Sequence, residues 1–152
     1  MTAAAVATCL WYNSQAEAAA TLYCSLFADA RITARMPAIG DPKGGTFLVE
    51  FTLMGQSFTA MNGGPQYQLS PAASIFVMLD TQAEVDHLWT TLLQGGAASR
   101  CGWLVDRYGL SWQIIPGALP RLLKQDTSGR VLQEMKGMIK LDIAALEAAA
   151  QA

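Results

Sequence analysis

Charged residues, histidine and long apolar runs are all scarce in this chain of 152 residues. Charged residues make up only 14% of it, the ten Lys and Arg are scattered, and the formal net charge is −2. There is therefore no electrostatic basis for binding nucleic acid. No stretch reaches the ~18–20 uninterrupted apolar residues that a bilayer span needs. The start of the chain lacks the basic region of a signal peptide, so we expect a soluble, cytoplasmic protein that does not bind membranes.

Cysteine and histidine are too few to indicate a metal or catalytic site by themselves. Cys9, Cys24 and Cys101 are odd in number and lack C-x-x-C spacing, which is typical of reduced, buried thiols rather than a disulfide frame or a zinc site. The single histidine, His87, lies off the apolar stripe of its predicted helix, which indicates an exposed residue. Cys101 is an alternative nucleophile, but a structural role is favoured because no neighbouring base or cation would activate it.

Apolar residues, in contrast, make up 52% of the chain. This fraction predicts a large core and a buried subunit interface. The length suits one compact unit or two halves that share a core.

An internal repeat indicates which of these applies. The string Asn13–Glu17 returns almost unchanged as Asp80–Glu84, and each copy follows an apolar run and precedes a helical pattern. A second pair, Gly55–Thr59 and Gly109–Gln113, shares the order glycine, any residue, serine, aromatic, polar. Two repeated strings in the same order predict a duplicated module.

Both copies of the first string also predict the start of a helix. Ser14 and Glu17 have the spacing of a capping box, as do Thr81 and Glu84, in which a hydroxyl and a carboxylate satisfy the first free amides of a helix. We therefore expect a helix that continues to residue 27 in the first half and one that ends at residue 93 in the second.

Alternating and continuous apolar patterns predict the remaining elements. In the first half we expect strands over residues 6–12, 31–36, 46–53 and 57–62. In the second half we expect strands over 74–79, around 99–105 and over 110–115, after a linker at 62–71. Three C-terminal helices are predicted over 119–124, over 129–139 and in an alanine-rich tail capped by Asp142. A strand, a helix and then antiparallel strands, twice over, is an α+β pattern in which each sheet packs a helix on one face and can line a cavity with the other.

Four segments carry a resemblance to a known superfamily. They read CLWYN (9–13), QSFTAMNGGP (56–65), CGWLVDRYGLSWQ (101–113) and KLDIAAL (140–146). With them the chain resembles the vicinal-oxygen-chelate superfamily, the glyoxalase and bleomycin-resistance fold, and within it the PhnB-like branch labelled 3-demethylubiquinone-9 3-methyltransferase. The resemblance implies a single domain over 1–152, made of βαβββ modules at 1–64 and 65–116 and helices at 117–152. It also implies a homodimer whose modules complete the binding cups.

The resemblance further implies where a catalytic metal would bind. Metal-dependent members place ligands on the first strand and on a later strand of each module, which correspond here to Thr8, Thr59, Ser74 and Gln113. Neutral hydroxyls and one amide are poor ligands for a divalent ion, so we expect no metal and no cofactor. The repeat pairs Thr8 with Ile75 rather than with Ser74, so the register of one strand is open to a shift of one residue.

Other candidate residues are a carboxylate and several large side chains. Glu50 lies in an otherwise apolar strand, where it would act as a general base or hold a cationic group, or would pair with a cross-strand Arg or Thr on a solvated face. Trp11, Trp103 and Tyr108, with Met61, would line a hydrophobic pocket or simply fill the core.

The leading hypothesis is a metal-free protein that binds an unidentified small organic molecule in an apolar cup. One alternative is an enzyme on the same fold, either with Glu50 as base or with a metal site that the position count misses. Another is a ligand-free dimeric interaction scaffold. Methyl transfer has no support, because no glycine-rich turn joins a strand to a helix to hold a nucleotide-like cofactor. The candidate ligand-binding residues are Thr8, Trp11, Glu50, Thr59, Met61, Ser74, Trp103 and Gln113.

Overall fold

A computed structural model describes residues 5–40 and 44–151 of the chain. Contacts between Cα atoms divide it into two compact units, and the boundary along the chain lies between Leu69 and Ser70. Each unit is described by itself. Each unit contains a mixed sheet of four strands, so the predicted α+β class with two βαβββ modules is confirmed.

In the part of the chain that the structure describes, the first unit contains one helix and one sheet. Its elements are β1 (Thr8–Tyr12), α1 (Ala16–Leu26), β2 (Ala30–Pro37), β3 (Thr46–Leu53) and β4 (Gln56–Asn62). The strand order is β1-β4-β3-β2, with β1 parallel to β4 and the other pairs antiparallel. The chain turns from β3 into β4 through Met54 and Gly55, whose φ angles of 48° and 80° are those of a tight hairpin turn.

Strand β3 shows the predicted alternation of apolar and polar residues. Val49, Phe51 and Leu53 are buried on the face that packs against α1, while the intervening side chains, including Glu50, lie on the opposite face. The buried residues of α1 are three alanines and Tyr23, and the small alanine side chains let the helix lie close to the sheet. Among the described residues of this unit, no helix covers the opposite face of the sheet, here called the first open face.

The capping box predicted at Ser14 and Glu17 is wrong. The helix starts one residue later than that box requires, and the side-chain oxygen of Asn62 accepts from the amide of Ala16 at 2.8 Å. The Glu17 carboxylate instead accepts hydrogen bonds from Arg35 at 2.8 Å and from Thr46 at 2.6 Å. These long-range partners on β2, β3 and β4 replace the local cap.

The second unit repeats the arrangement. Its elements are β5 (Ser74–Leu79), α2 (Gln82–Leu93), β6 (Ala97–Ala98), β7 (Trp103–Val105) and β8 (Ser111–Pro116), in the strand order β5-β8-β7-β6. The capping box at Thr81 and Glu84 is confirmed. The single strand predicted around residues 99–105 is wrong, because Cys101 and Gly102 both have positive φ angles, 59° and 79°, and form a turn between two short strands.

Three short helices complete the second unit. They are α3 (Leu119–Gln125), α4 (Arg130–Gly137) and α5 (Ile143–Gln151). Leu141 and Leu146 are fully buried in a small core that also contains Ile115 of β8. The Asp142 carboxylate accepts from the amide of Ala145 at 2.8 Å, which confirms the predicted cap of the tail. Helix α4 ends two residues before the predicted end of that helix.

The helices are all short. Among residues 5–40 and 44–151, no helix is long and apolar enough to cross a bilayer.

Candidate ligand-binding faces

The register of the first sheet arranges its open face in rows of side chains. Trp11 on β1 lies opposite Met61 on β4, which lies opposite Leu48 on β3. In the row two positions away, Thr59 on β4 lies opposite Glu50 on β3. One row is therefore apolar and the next is polar, because residues two apart on a strand share a face. This face brings together four of the predicted site residues: Trp11, Glu50, Thr59 and Met61.

Trp11 is held firmly at the apolar end of this face. Its indole N–H donates to the carbonyl of Gly64 at 2.9 Å, and the Tyr67 ring meets it edge-on with centroids 4.9 Å apart. The indole lies directly against Gly63, where a Cβ atom would collide with it. The ring position therefore depends on a glycine at this point of the chain.

A hollow of about 170 Å³ occupies the polar end of the first open face. Four hydroxyl-bearing residues and one carboxylate contribute to its lining: Thr33, Thr52, Ser57, Thr59 and Glu50. Glu50 is half-buried. Among the described residues, its carboxylate forms no hydrogen bond or ion pair, so the predicted pairing with a cross-strand Arg or Thr is not seen there. This leaves a negative charge available to a bound molecule.

Thr8 does not join this group. It lies opposite Phe58, a buried residue on the face that packs against α1. The equivalent pair in the second sheet is Ile75 with Trp112. The repeat alignment of Thr8 with Ile75 is therefore confirmed. The prediction that Thr8 occupies the position equivalent to Ser74 on the open face is off by one residue. Ala7 lines the hollow instead.

The second sheet has a corresponding open face. Gln113 on β8 lies opposite Trp103 on β7 and Phe76 on β5. Its side-chain amide donates to the hydroxyl of Ser74 at 2.9 Å. The structure thus brings together Ser74, Trp103 and Gln113, the three candidate residues predicted in this half.

Ser111 is a residue of this face that the sequence analysis missed. It lies opposite Ser74 and is buried, and no hydrogen-bond partner for its hydroxyl is found within the described ranges. A buried hydroxyl without a partner is unfavourable unless a ligand or water satisfies it. The repeat could have indicated it, since Ser57, its counterpart in the Gly-x-Ser string, lines the hollow of the first unit.

Asp106 fixes the turn between β7 and β8. Its buried carboxylate accepts from the amides of Tyr108 and Leu110 and, at 2.9 Å, from the indole N–H of Trp112. Trp112 is fully buried on the face opposite Gln113, so it packs in the core as expected. Tyr108 belongs to the turn and not to the row of open-face side chains.

Among the described residues, no hydrogen bond joins the histidine to any of the cysteines. His87 is exposed on α2, as predicted. All three thiols are free, as predicted, but the expectation that they are buried is wrong: Cys9 is exposed, and Cys24 and Cys101 are partly buried. Cys9 is exposed because it occupies the open face opposite Thr59. Partial burial raises the pKa of the Cys24 thiol, which makes it less reactive.

The side chains at the expected metal positions do not fit a catalytic metal. On the second open face these positions are Ser74 and Gln113, whose hydroxyl and amide hydrogen-bond to each other. On the first open face they are Ala7 and Thr59. In the part of the chain that the structure describes, no cluster of three or more His, Cys, Asp or Glu side chains could hold an ion. Divalent cations prefer imidazole, thiolate and carboxylate ligands, which are missing from these four positions.

Comparisons with known proteins identify the family. The family model described as 3-demethylubiquinone-9 3-methyltransferase matches residues 4–115. The PhnB protein from Bacillus cereus is 30% identical, with a TM-score of 0.69, and the match covers 74% of this chain and 98% of that one. No curated protein matches this chain significantly.

Two less similar solved structures share the fold. Protein PA1353 from Pseudomonas aeruginosa is 18% identical, with a TM-score of 0.63 and coverage of 75% of this chain and 98% of that one. The fosfomycin resistance protein FosX from Listeria monocytogenes, solved with Mn(II) and sulfate, is 18% identical, with a TM-score of 0.55 and coverage of 81% and 99%. On this evidence the chain belongs to the 3-demethylubiquinone-9 3-methyltransferase family, the PhnB-like branch of the vicinal-oxygen-chelate superfamily.

Proposed function

We propose that this chain binds a small organic molecule on the open faces of its sheets and does so without a catalytic metal. The observation that carries the proposal is the hydrogen bond between Gln113 and Ser74. The superfamily resemblance implies that these two side chains occupy the positions of metal ligands in metal-dependent members, and here they hydrogen-bond to each other.

The chemistry of these groups argues against metal binding. An amide nitrogen that donates to a neighbouring hydroxyl offers no lone pair to a cation, and the amide and hydroxyl oxygens that remain are neutral. Hard and borderline cations gain most from anionic oxygen or imidazole nitrogen. In the first unit, Ala7 has no donor atom at the corresponding position.

The rest of each open face suits an organic ligand. Trp11 and Met61 in the first unit, and Trp103 and Phe76 in the second, provide apolar contact area. A few polar groups lie beside them, and sites for small organic molecules typically combine apolar walls with a few such orienting groups.

The name of the family suggests methyl transfer, but the strand-to-helix connections give it no support. Residues 13–15 connect β1 to α1 and residues 80–81 connect β5 to α2 without glycine, and the connection from β8 to α3 at residues 117–118 contains a single glycine, Gly117. Dinucleotide-binding junctions use glycine so that the backbone can approach a phosphate closely. Our proposal therefore does not include transfer of a methyl group.

A thermal-shift screen of the full chain against metabolites and antibiotics tests the proposal. A ligand at 100 times its Kd should add about 2.7 kcal/mol to the free energy of unfolding. A flat response across a broad library would favour a scaffold role. Elemental analysis of protein purified without chelators provides the second test, because about one tightly held Zn²⁺, Ni²⁺ or Fe²⁺ per chain would contradict the metal-free part.

A further inference from the structure

We propose that the first open face selects ligands that carry a cationic amine on an apolar body. This inference rests on the proposed function and specifies the class of ligand for one of the two faces. It follows from the way the sheet register separates a carboxylate from an aromatic side chain.

The amine is inferred from the polar hollow. The Glu50 carboxylate can only accept hydrogen bonds, whereas the hydroxyls of Thr52, Ser57 and Thr59 can donate or accept. A ligand group with several N–H donors would satisfy the carboxylate and the hydroxyl oxygens together. An ammonium has three such donors, and hydrogen bonds between charged partners are the stronger kind.

The positive charge is inferred from the missing counter-ion. Glu50 is half-buried, and no cationic side chain among the described residues pairs with it. Arg31 lies in the next row, opposite Thr52, but its side chain is exposed and does not line the hollow. Its guanidinium nitrogen Nη1 lies 3.7 Å from the Oδ1 atom of Asp29. A carboxylate ligand would meet like charge in this hollow, so the site discriminates against anions.

The apolar body is inferred from the adjacent row. Trp11, Met61 and Leu48 lie one row away from Glu50, which corresponds to about 7 Å along the strands. Trp11 lies two strands away from Glu50, or about 10 Å across the sheet. A ring joined to the amine by a short carbon chain would contact both ends of the face.

Matched sets of ligands test the inference on the full chain. Phenylbutylamine, phenylbutanol and phenylbutyrate share one hydrocarbon body and differ in the head group, as do tryptamine, tryptophol and indoleacetate. Calorimetric titration should show that the amine of each set binds at least about tenfold more tightly than the alcohol or the acid. In Glu50→Gln, the preference for the amine should fall to within about twofold, and urea denaturation of the variant checks that the chain is folded.

Glu147→Gln is the matched control, because it removes the same charge from an exposed position on α5 and should leave the preference unchanged. Equal binding of amine and acid, or a preference that survives Glu50→Gln, would overturn the inference and leave the proposed function intact. If no member of either set binds while other compounds stabilise the chain, the inference is also wrong. If nothing in the wider screen binds either, both proposals fail.

Discussion

The side-chain amide of Gln113 donates to the hydroxyl of Ser74 at 2.9 Å, linking the adjacent parallel strands β8 and β5. The two groups are placed by backbone register, since Ser74 lies opposite Ser111, two residues before Gln113 on the same face. The two side chains are therefore hydrogen-bonded to each other at positions that the superfamily resemblance assigns to metal ligands.

Replacing the pair by real metal ligands should create measurable affinity for a metal ion. Ser74→His combined with Gln113→Glu places an imidazole and a carboxylate within reach of one ion, and we expect Ni²⁺ or Zn²⁺ to bind at least about tenfold more tightly than to the unmodified chain. Calorimetric titration measures this, with the two single variants as controls. Equally tight metal binding by the unmodified chain would show that its own residues form a site.

Gly63→Ala should disturb the apolar end of the first open face. The added methyl group would collide with the Trp11 indole, which is held by its hydrogen bond to Gly64 and by Tyr67. We expect a loss of about 1–3 kcal/mol in the free energy of unfolding, the usual cost of overpacking. Urea denaturation gives this value, and weaker binding of ring-containing ligands should accompany it.

Gly137→Ala is the matched control for that change. Nothing lies within 4 Å of the position of its Cβ atom, and the residue belongs to α4. Its free energy of unfolding should therefore stay the same or rise by up to about 1 kcal/mol, because alanine favours helices. Equal destabilisation by both substitutions would mean that the contact with Trp11 is not the cause.

Asp106→Asn should destabilise the second unit. The buried carboxylate accepts hydrogen bonds from the amides of Tyr108 and Leu110 and from the indole of Trp112. An asparagine that keeps the first two would present its NH₂ group to the indole N–H. An unsatisfied buried donor pair costs about 1–3 kcal/mol, and we expect a loss of that size in urea denaturation. Trp112→Phe instead removes the donor of this hydrogen bond, the indole N–H. If the two substitutions together cost as much as the sum of the single changes, the hydrogen bond does not couple them.

The stability of the first unit should depend on the charge of Glu17. Hydrogen bonds from Thr46 and Arg35 hold the pKa of Glu17 below its ordinary value of 4.5. Because the pKa of the folded state is the lower one, the stabilisation is complete above pH 4.5 and is lost as the pH falls through the folded-state pKa. The difference in free energy of unfolding between the natural chain and Glu17→Gln should therefore shrink below that pH.

Urea denaturation between neutral pH and pH 3, roughly where an unperturbed carboxylate is mostly protonated, measures this dependence. A difference for Glu17→Gln that stays constant with pH would rule out the charged form as the source of the stabilisation.

Local sequence signals predicted the elements whose partners are local. The Thr81 and Glu84 box formed because both partners lie in the same helical turn. The similar string at Ser14 did not form a box, because Asn62, Arg35 and Thr46 are brought to α1 by the sheet. A window of a few residues contains no information about such partners.

The candidate site residues also divide into those that a local sequence pattern predicts and those that depend on partners distant in sequence. Alternation along β3 predicted the face of Glu50, whereas the face of Thr8 depended on a pairing register that only the parallel partner strand determines. The hydroxyl of Ser111, for which no partner is found within residues 5–40 and 44–151, also depends on its neighbours in space, although the repeat with Ser57 was visible in the sequence.

The central claim is that an organic molecule binds here without the help of a metal. The most direct test measures stabilisation of the full chain by a ligand from the screen, before and after exhaustive treatment with a chelator. We predict the same stabilisation in both samples, about 2.7 kcal/mol at 100 times the Kd. Stabilisation that disappears with the chelator and returns when a divalent ion is added would contradict the account.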